Sequence, residues 1–171
     1  APMALVIAPT RELAMQVNRE LAWLFAKAGV RMASCVGGMD AREERRALER
    51  GAHIVVGTPG RLRDHITKGA LVLDDIRAVI LDEADEMLDM GFREDLEFML
   101  AEAPEERRTL MFSATVPAQI AKMAKQFQRD AVRVSTVSSG DQHADISYQA
   151  MTVHHNEVEN AIINLLRYHD S

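Results

Sequence analysis

The sequence predicts an α/β fold in which a mostly parallel β-sheet is sandwiched between helices. Short runs rich in valine, isoleucine and leucine recur along the chain, and stretches with apolar residues at helical spacing lie between them. Polar residues or glycine follow nearly every run. Parallel strands need crossover connections, and helices used as crossovers cover both faces of the sheet. The alternation therefore predicts a covered parallel sheet.

The predicted elements alternate along most of the chain. The strands share short apolar runs bounded by turn residues, and cover residues 3–8, 31–36, 54–56, 78–81, 109–112 and 132–135. The helices cover residues 10–28, 40–50, 58–67, 86–101 and 117–127.

Local signals place the helix ends. Thr10 is a good N-cap, and Asp40 with Glu43 has the spacing of a capping box. Pro59 suits the first turn of the third helix, where Thr58 precedes it as a cap. A glycine interrupts the fourth helix at Gly91.

Composition limits the classes of function. The 171 residues suffice for one domain plus a tail. A net charge of −6 and an isoelectric point near 5.5 argue against a protein that coats nucleic acid through bulk charge. Aromatic residues make up only 5%, which disfavours a base-stacking platform. Local contacts to a nucleic-acid backbone remain open.

The sequence also predicts a cytoplasmic location without a membrane partner. No apolar stretch is long enough to span a bilayer, and residues 1–8 lack the features of a signal peptide. The single cysteine, Cys35, excludes an internal disulfide and is expected to be inert within its strand. The histidines, His65 among them, show no metal-ligand spacing, so no metal role is predicted for them.

The second predicted helix carries a charged surface. Its arginines alternate with glutamates, which predicts a solvated, ion-paired face rather than an RNA-binding patch. The residues concerned are Arg42, Glu43, Glu44, Arg45, Arg46, Glu49 and Arg50.

The strand ends are the candidate sites, since ligands of open parallel sheets bind beyond the carboxyl ends of the strands. Asp82 and Glu83 follow the strand 78–81. One carboxylate there can hold a hydrated Mg²⁺ on a nucleotide, and its neighbour can orient water. Taken alone, the pair is also explained as an acidic helix start that the helix dipole favours.

Other strand ends suit phosphates. Helix N-termini, glycines and arginines can hold phosphate groups without reading bases, although each could separately be simple capping. The residues with these properties are Thr10, Arg11, Gly38, Thr58, Gly60 and Arg61. After the fifth strand, Ser113 and Thr115 offer hydroxyls that fit a hydrogen-bonding relay better than covalent catalysis, because no base is evident.

Taken in order, these segments resemble the successive first-domain motifs of DEAD-box RNA helicases. They are Pro9-Thr10-Arg11-Glu12-Leu13-Ala14, Gly37-Gly38, Thr58-Pro59-Gly60-Arg61, Asp82-Glu83-Ala84-Asp85 and Ser113-Ala114-Thr115. The resemblance covers roughly residues 1–136. It implies a RecA-like P-loop NTPase domain in a parent protein that is an RNA-stimulated ATPase with ATP and Mg²⁺ as cofactors.

The resemblance also implies roles for individual residues. Asp82 would bind the Mg²⁺ of Mg-ATP through water, and Glu83 would position the attacking water. Asp85 would contact Ser113 and Thr115 and so link the nucleotide state to domain closure. The six residues suited to phosphates, Thr10, Arg11, Gly38, Thr58, Gly60 and Arg61, would hold the RNA sugar-phosphate backbone without sequence specificity.

The sequence departs from the family pattern in one respect. No G-x-x-x-x-G-K-[ST] phosphate loop occurs among the 171 residues, so we expect this chain alone to bind ATP poorly and to be inactive. The expected organisation is a partial first RecA-like domain over residues 1–135, an interdomain linker over 136–145, and the start of a second RecA-like domain over 146–171.

The strand that carries the phosphate loop would lie beside strand 109–112 in related folds. Its absence predicts that an amino-terminal segment preceding Ala1 supplies it. Alternatively, residues 146–153 substitute for it, within this chain or by swapping into a neighbouring one to form a dimer.

Two functions remain open from the sequence. The parent protein could be an ATP-dependent helicase that unwinds short RNA duplexes, or an ATP-gated RNA clamp with little net unwinding. A DNA translocase fits less well, because the Thr-Pro-Gly-Arg and Ser-Ala-Thr forms resemble the RNA-directed branch.

Overall fold

The structure is a computed structural model that describes residues 1–135 and 150–169, and the chain forms two compact units, residues 1–131 and 132–171. The first unit contains a five-stranded sheet in the order β2-β3-β1-β4-β5. Its strands are β1 (Ala4–Ile7), β2 (Met32–Cys35), β3 (Ile54–Gly57), β4 (Ala78–Leu81) and β5 (Arg108–Met111). Every pairing is parallel, as predicted.

Helices connect the strands and cover the sheet. In the first unit they are α1 (Arg11–Leu24), α2 (Ala41–Glu49), α3 (Pro59–Thr67), α4 (Ala84–Asp89), α5 (Arg93–Glu102) and α6 (Ala118–Phe127). In the second unit a 3₁₀ turn, His155–Glu157, leads into α7 (Val158–His169). No helix in the described part of the chain combines the length and the apolar character needed to cross a membrane.

The two faces of the sheet bury different side chains. Leu5 and Ile7 of β1 belong to a large apolar cluster that includes residues of α3, α4, α5 and α6. Val6, from the same strand, belongs to a smaller cluster with α1 residues such as Ala14. This alternation follows from the two-residue repeat of a strand, and both clusters together explain why the strands are nearly continuous apolar runs.

Two of the predicted caps, Thr10 and Asp40, form side-chain hydrogen bonds at their helix starts. The Thr10 hydroxyl accepts a hydrogen bond from the Leu13 amide at 3.2 Å, and the Asp40 carboxylate accepts one from the Arg42 amide at 2.8 Å. The Asp40 contact lies one residue earlier than a capping box would place it. Gly91, with φ of 86°, separates α4 from α5, so the predicted interruption is confirmed.

The predicted sixth strand, residues 132–135, is wrong. These residues form no regular structure, and Val132 and Val134 are 85% and 81% exposed. Two valines that alternate with polar residues become part of a strand only where a neighbouring strand can pair with them. The predicted linker, residues 136–145, and the first part of segment 146–153 lie outside the described residues.

Within the described residues, β5 pairs on one side only, with β4. Residues 150–153 form no strand, and residues 146–149 lie outside the described part of the chain. The expectation that segment 146–153 fills the other edge of β5 within this chain therefore finds no support in residues 150–153.

Candidate functional site

The parallel sheet brings the candidate residues to one edge. All five strands run in the same direction, so the segments that follow them meet at their carboxyl ends. The strand order separates two groups. The segments suited to phosphates follow β2, β3 and β1, whereas the acidic and hydroxyl segments follow β4 and β5. The strand ends therefore form a basic half, which contains Arg11 and Arg61, and an acidic half, which contains Asp82, Glu83 and Asp85.

The two leading acids stand directly after β4. The Asp82 amide donates to the Ile7 carbonyl at 2.9 Å, and one Asp82 carboxylate oxygen, Oδ1, accepts from the Glu83 amide at 3.1 Å. Glu83 is exposed and adopts a left-handed conformation, with φ of 49° and ψ of 54°. A non-glycine residue held in this region stores strain, which concentrates at functional sites. The turn thus presents Glu83 to solvent at the sheet edge.

Asp82 fits a magnesium site in its donor chemistry. Mg²⁺ binds carboxylate oxygen, keeps several waters and needs only one or two protein ligands. Asp82 is half-buried at the rim of the sheet, and its Oδ2 atom accepts no hydrogen bond from the described residues. This oxygen is therefore the atom that would accept hydrogen bonds from the water shell of a hydrated cation.

A hydrogen-bond network joins the ends of β4 and β5. The Asp85 Oδ2 atom accepts from the Thr115 amide at 2.8 Å and from the Thr115 hydroxyl at 2.7 Å. The Asp85 amide donates to the Ser113 hydroxyl oxygen at 3.2 Å, and that hydroxyl donates to the Thr115 carbonyl at 2.6 Å. The structure therefore brings together the three residues for which the sequence predicts a coupling role.

These contacts favour the charged form of Asp85. The hydrogen bond from the Thr115 side chain, aided by the Thr115 amide and the Ser113 hydroxyl, lowers the pKa of Asp85 from 3.8 to about 2. The carboxylate is consequently ionised throughout the neutral range. Its tie to Thr115 is a charge-assisted hydrogen bond, a stronger kind than one between neutral groups.

On the basic half, the first two strand ends meet. A Cβ atom placed on Gly38 would lie 3.2 Å from Nη1 of Arg11, so the Arg11 guanidinium lies against the Gly38 backbone. Both residues are exposed, and Gly38 has φ of 79°, which glycine adopts without strain. An anion at this point would meet a guanidinium and an unshielded backbone together.

The N-terminus of α3 supplies the third strand end. Pro59 occupies the first turn as predicted, but the Thr58 side chain makes no capping hydrogen bond. Gly60 is exposed, and no atom lies within 4 Å of a Cβ placed on it. This helix start therefore leaves backbone amides and the Thr58 hydroxyl accessible to an anion.

Arg61, which the sequence assigns to phosphates, already donates hydrogen bonds within the protein. Its Nη1 atom donates to Glu44 Oε2 at 3.2 Å and its Nη2 atom donates to the Met39 carbonyl at 3.2 Å. The Arg61 side chain is only 17% exposed. Two of its N–H groups are thus already hydrogen-bonded within the protein.

The predicted solvated, ion-paired face of α2 is confirmed in the exposure of its arginines and in one ion pair, and it is wrong for Glu44. Arg45 pairs with Glu49 at 3.2 Å in an exposed ion pair, but Glu44 is only 6% exposed. Its spacing is a signal for burial, because residue 44 lies one turn from Ala41 and Leu48 on the apolar side of the helix. The alternating charges of α2 predict that Glu44 is exposed, although its helical position indicates burial.

Comparison with known proteins agrees with the fold and the order of the motifs. The family model described as "DEAD/DEAH box helicase" matches residues 1–123. The chain is 43% identical over 166 residues to the DEAD-box ATP-dependent RNA helicase CshA of Geobacillus kaustophilus, covering 97% of this chain and 36% of that protein. It is 54% identical over 126 residues to CshA of Streptococcus pneumoniae serotype 4, covering 74% and 24%.

Two further comparisons give the same result. The ATP-dependent RNA helicase DeaD of Haemophilus influenzae is 43% identical over 171 residues, covering 99% of this chain and 28% of that protein. The crystal structure of the yeast DEAD-box splicing factor Prp28 matches with a TM-score of 0.71 and 35% identity, covering 75% of this chain and 31% of that one. The chain thus spans between 24% and 36% of the curated relatives described above. Its first unit is a RecA-like sheet, and the chain belongs to the DEAD/DEAH box helicase family.

Proposed function

We propose that this chain is part of an ATP-dependent RNA helicase and contributes both nucleotide-handling and RNA-binding residues to it. The relatives that match it are named as ATP-dependent RNA helicases. The observation that carries the proposal is the tie between Asp85 and Thr115. It links the acidic strand end, where a nucleotide would be sensed, to the neighbouring strand end.

On the acidic half, Asp82 would hold Mg²⁺ through water with its Oδ2 atom, and Glu83 would orient the water that attacks the γ-phosphate. The cation would supply charge neutralisation on the phosphate oxygens of ATP. The exposed, strained turn at Glu83 supports this role, since a water-orienting carboxylate must reach beyond the edge of the sheet.

On the other half, the chain binds the sugar-phosphate backbone of RNA. Arg11 and Gly38 form one contact point, and Thr58, Gly60 and Arg61 form another. Guanidinium groups and open backbone amides recognise phosphates and carry no base information. Binding is therefore independent of RNA sequence.

Ser113, Thr115 and Asp85 couple the two halves to a second RecA-like domain of the complete protein. A change at the nucleotide alters the Asp85 position, and the hydrogen bonds to Thr115 pass that change to the end of β5. Domain closure then grips RNA and unwinds a short duplex. The setting proposed for this reaction is the cytoplasm.

The test is Glu83→Gln in the complete protein. The substitution keeps the shape of the side chain and removes the carboxylate, so RNA-stimulated phosphate release falls about 100-fold or more. Affinity for a fluorescent ATP analogue with Mg²⁺ stays within about threefold, because Glu83 does not hold the nucleotide.

The matched control is Glu86→Gln, which removes one charge from an exposed glutamate in the first turn of α4. Its phosphate release should equal that of the unmodified protein. Turnover of the Glu83 variant within a few-fold of the unmodified protein contradicts the assignment of Glu83.

A further inference from the structure

One charged side chain is buried where the proposed function does not use it. Glu44 is only 6% exposed, and among the described residues it shares this burial with one other polar side chain, His65, which is 3% exposed. A buried carboxylate persists only if other groups compensate for its lost hydration. The partners of Glu44 therefore indicate what it does.

Each Glu44 carboxylate oxygen is engaged. Oε1 accepts from the Val36 amide at 2.9 Å, and Oε2 lies 3.2 Å from Nη1 of Arg61 and 2.7 Å from Nε2 of His65. Val36 is buried and directly follows β2, whereas Arg61 and His65 belong to α3. One side chain on α2 thus joins two strand ends that the proposed function assigns to RNA.

The contacts fix both sides of the exposed glycine pair. Val36, just before Gly37, is held by Glu44 directly. Met39, just after Gly38, is held by Arg61, which Glu44 holds in turn. The conformation of Gly37 and Gly38 is consequently set from its two flanks by the same carboxylate.

We infer that Glu44 is a positioning residue, which orients Arg61 and the Gly37-Gly38 turn for RNA backbone binding without touching RNA itself. The inference rests on the proposed function of Arg61 and Gly38. Charge-assisted hydrogen bonds fix geometry more strongly than neutral ones, and a preformed surface binds without an ordering cost.

The same residues offer a metal-ligand set, which the geometry disfavours. Ligand atoms of Cys35, Glu44 and His65 lie within 4.8 Å of one another, and all three residues are buried. The Arg61 guanidinium already lies on Oε2 of Glu44, so a cation there would face a second positive charge. Burial also raises the pKa of the Cys35 thiol to about 12, which keeps it protonated, whereas metals bind the thiolate.

Glu44→Gln isolates the contact with Arg61. The amide oxygen of glutamine can still accept from Val36, and its NH₂ group can donate to His65 after a change of tautomer. Toward Arg61, however, the NH₂ group faces another donor, so that hydrogen bond is lost. The variant therefore keeps the packing and removes the orienting charge.

The experiment measures affinity of the complete protein for single-stranded RNA oligonucleotides in the presence of an ATP analogue, together with RNA half-saturation and kcat of its ATPase activity. Glu44→Gln should weaken RNA affinity about tenfold or more, in line with the loss of one hydrogen bond to a charged group. RNA half-saturation should rise by the same factor while kcat stays within about twofold, whereas a loss of folded protein alone would lower kcat instead.

Two further variants make the result specific. Glu43→Gln removes the same charge from an exposed neighbour on α2 and should leave RNA affinity unchanged. Arg61→Ala should weaken RNA binding, and adding Glu44→Gln to it should cause no further loss, because Glu44 acts through Arg61.

The outcomes separate the inference from the proposed function. If Arg61→Ala weakens binding while Glu44→Gln matches Glu43→Gln, or if the losses of the Glu44 and Arg61 variants add fully, the positioning role is overturned and the RNA role of Arg61 stands. If Arg61→Ala leaves RNA affinity and its salt dependence unchanged, the RNA role of Arg61 is overturned, and the positioning role with it.

Discussion

At the scale of single residues, the acidic half of the site depends on where each carboxylate finds its hydrogen bonds. The Asp82 Oδ2 atom accepts no hydrogen bond from the described part of the chain. The Asp85 Oδ2 atom, by contrast, accepts two hydrogen bonds from Thr115, one from its amide and one from its hydroxyl. These two acids come from the same short motif, yet one is left for a ligand and the other is tied into the protein. The spacing of Asp82 and Asp85 in the sequence does not predict which of them is hydrogen-bonded, because the partner, Thr115, follows a different strand.

Asp85→Asn tests this tie through the pH dependence of stability. The folded-state pKa of Asp85 lies at about 2, below its ordinary value of 3.8, so the ionised form stabilises the folded protein at every pH above about 4. That contribution is lost as the pH falls from about 4 through about 2. Because the site is partly open to solvent, we expect only about 1 kcal/mol at neutral pH.

The measurement compares the unfolding free energy of the unmodified protein and the Asp85→Asn variant in urea at pH 7, 5, 4 and 3. The difference should be constant between pH 7 and 5, and should shrink from pH 4 to 3, where the unfolded aspartate takes up a proton. A difference that stays constant down to pH 3 argues against a hydrogen-bonded Asp85 with a lowered pKa.

Glu44 shows what residue patterns miss. Its neighbours on α2 are charged, and they are indeed exposed, so alternation of charge is a sound guide to most of this helix. A single carboxylate is buried because Val36, Arg61 and His65 all converge on it from other elements. Tertiary partners of this kind have no signature in the local sequence.

At the scale of elements, the sequence predicts the sheet closely. The predicted strand 78–81 is β4 itself, and the other four strands of the sheet differ from their predicted bounds by at most one residue at each end. Buried parallel strands are continuous apolar runs, which local sequence reveals. Segment 132–135 alternates valine with polar residues and pairs with no strand among the described residues, and it forms no strand. Pairing is a property of the whole sheet and is not encoded in one segment.

Gly57→Ala tests how tightly β2 and β3 pack against α3. A Cβ atom on Gly57 would lie 2.3 Å from the Cys35 carbonyl oxygen and 2.8 Å from the Leu62 side chain. The backbone of β2 would have to move, so we expect a loss of about 3 kcal/mol in the free energy of unfolding. Chemical denaturation of the unmodified protein and the variant measures it.

The matched control is Gly60→Ala, three residues later on α3. No atom lies within 4 Å of that added Cβ, and alanine favours a helix over glycine, so the unfolding free energy should stay unchanged or rise by about 0.4–1 kcal/mol. Equal losses in the two variants would show that contact with β2 is not the cause.

At the scale of the whole first unit, the two faces of the sheet are covered unequally. The face that α1 covers retains an apolar groove of about 440 Å³, and its lining includes Ile80 and Phe112. Leu110 and Phe112 are 40% and 55% exposed. Leu110 is in register with Ile80 and so continues this apolar face onto β5, whose second edge no strand among the described residues pairs with. At that edge the Thr109 carbonyl accepts a hydrogen bond from the Gln128 side chain at 2.9 Å.

An edge strand beside an apolar surface favours association between chains, which is also the setting for the strand-swapped dimer that the sequence suggests. We therefore expect the 171-residue chain, studied by itself, to self-associate with rising concentration. Leu110→Lys places a charge on this surface and should shift the chain toward monomer, as lysine does on natural edge strands. Val72→Lys is the matched control, because Val72 is also an exposed apolar residue, at 46% exposure, and does not belong to β5. It should leave association unchanged. Sedimentation velocity over a hundredfold range of concentration measures both. A chain that stays monomeric throughout, or one for which both lysine variants act alike, would show that the β5 edge does not drive association.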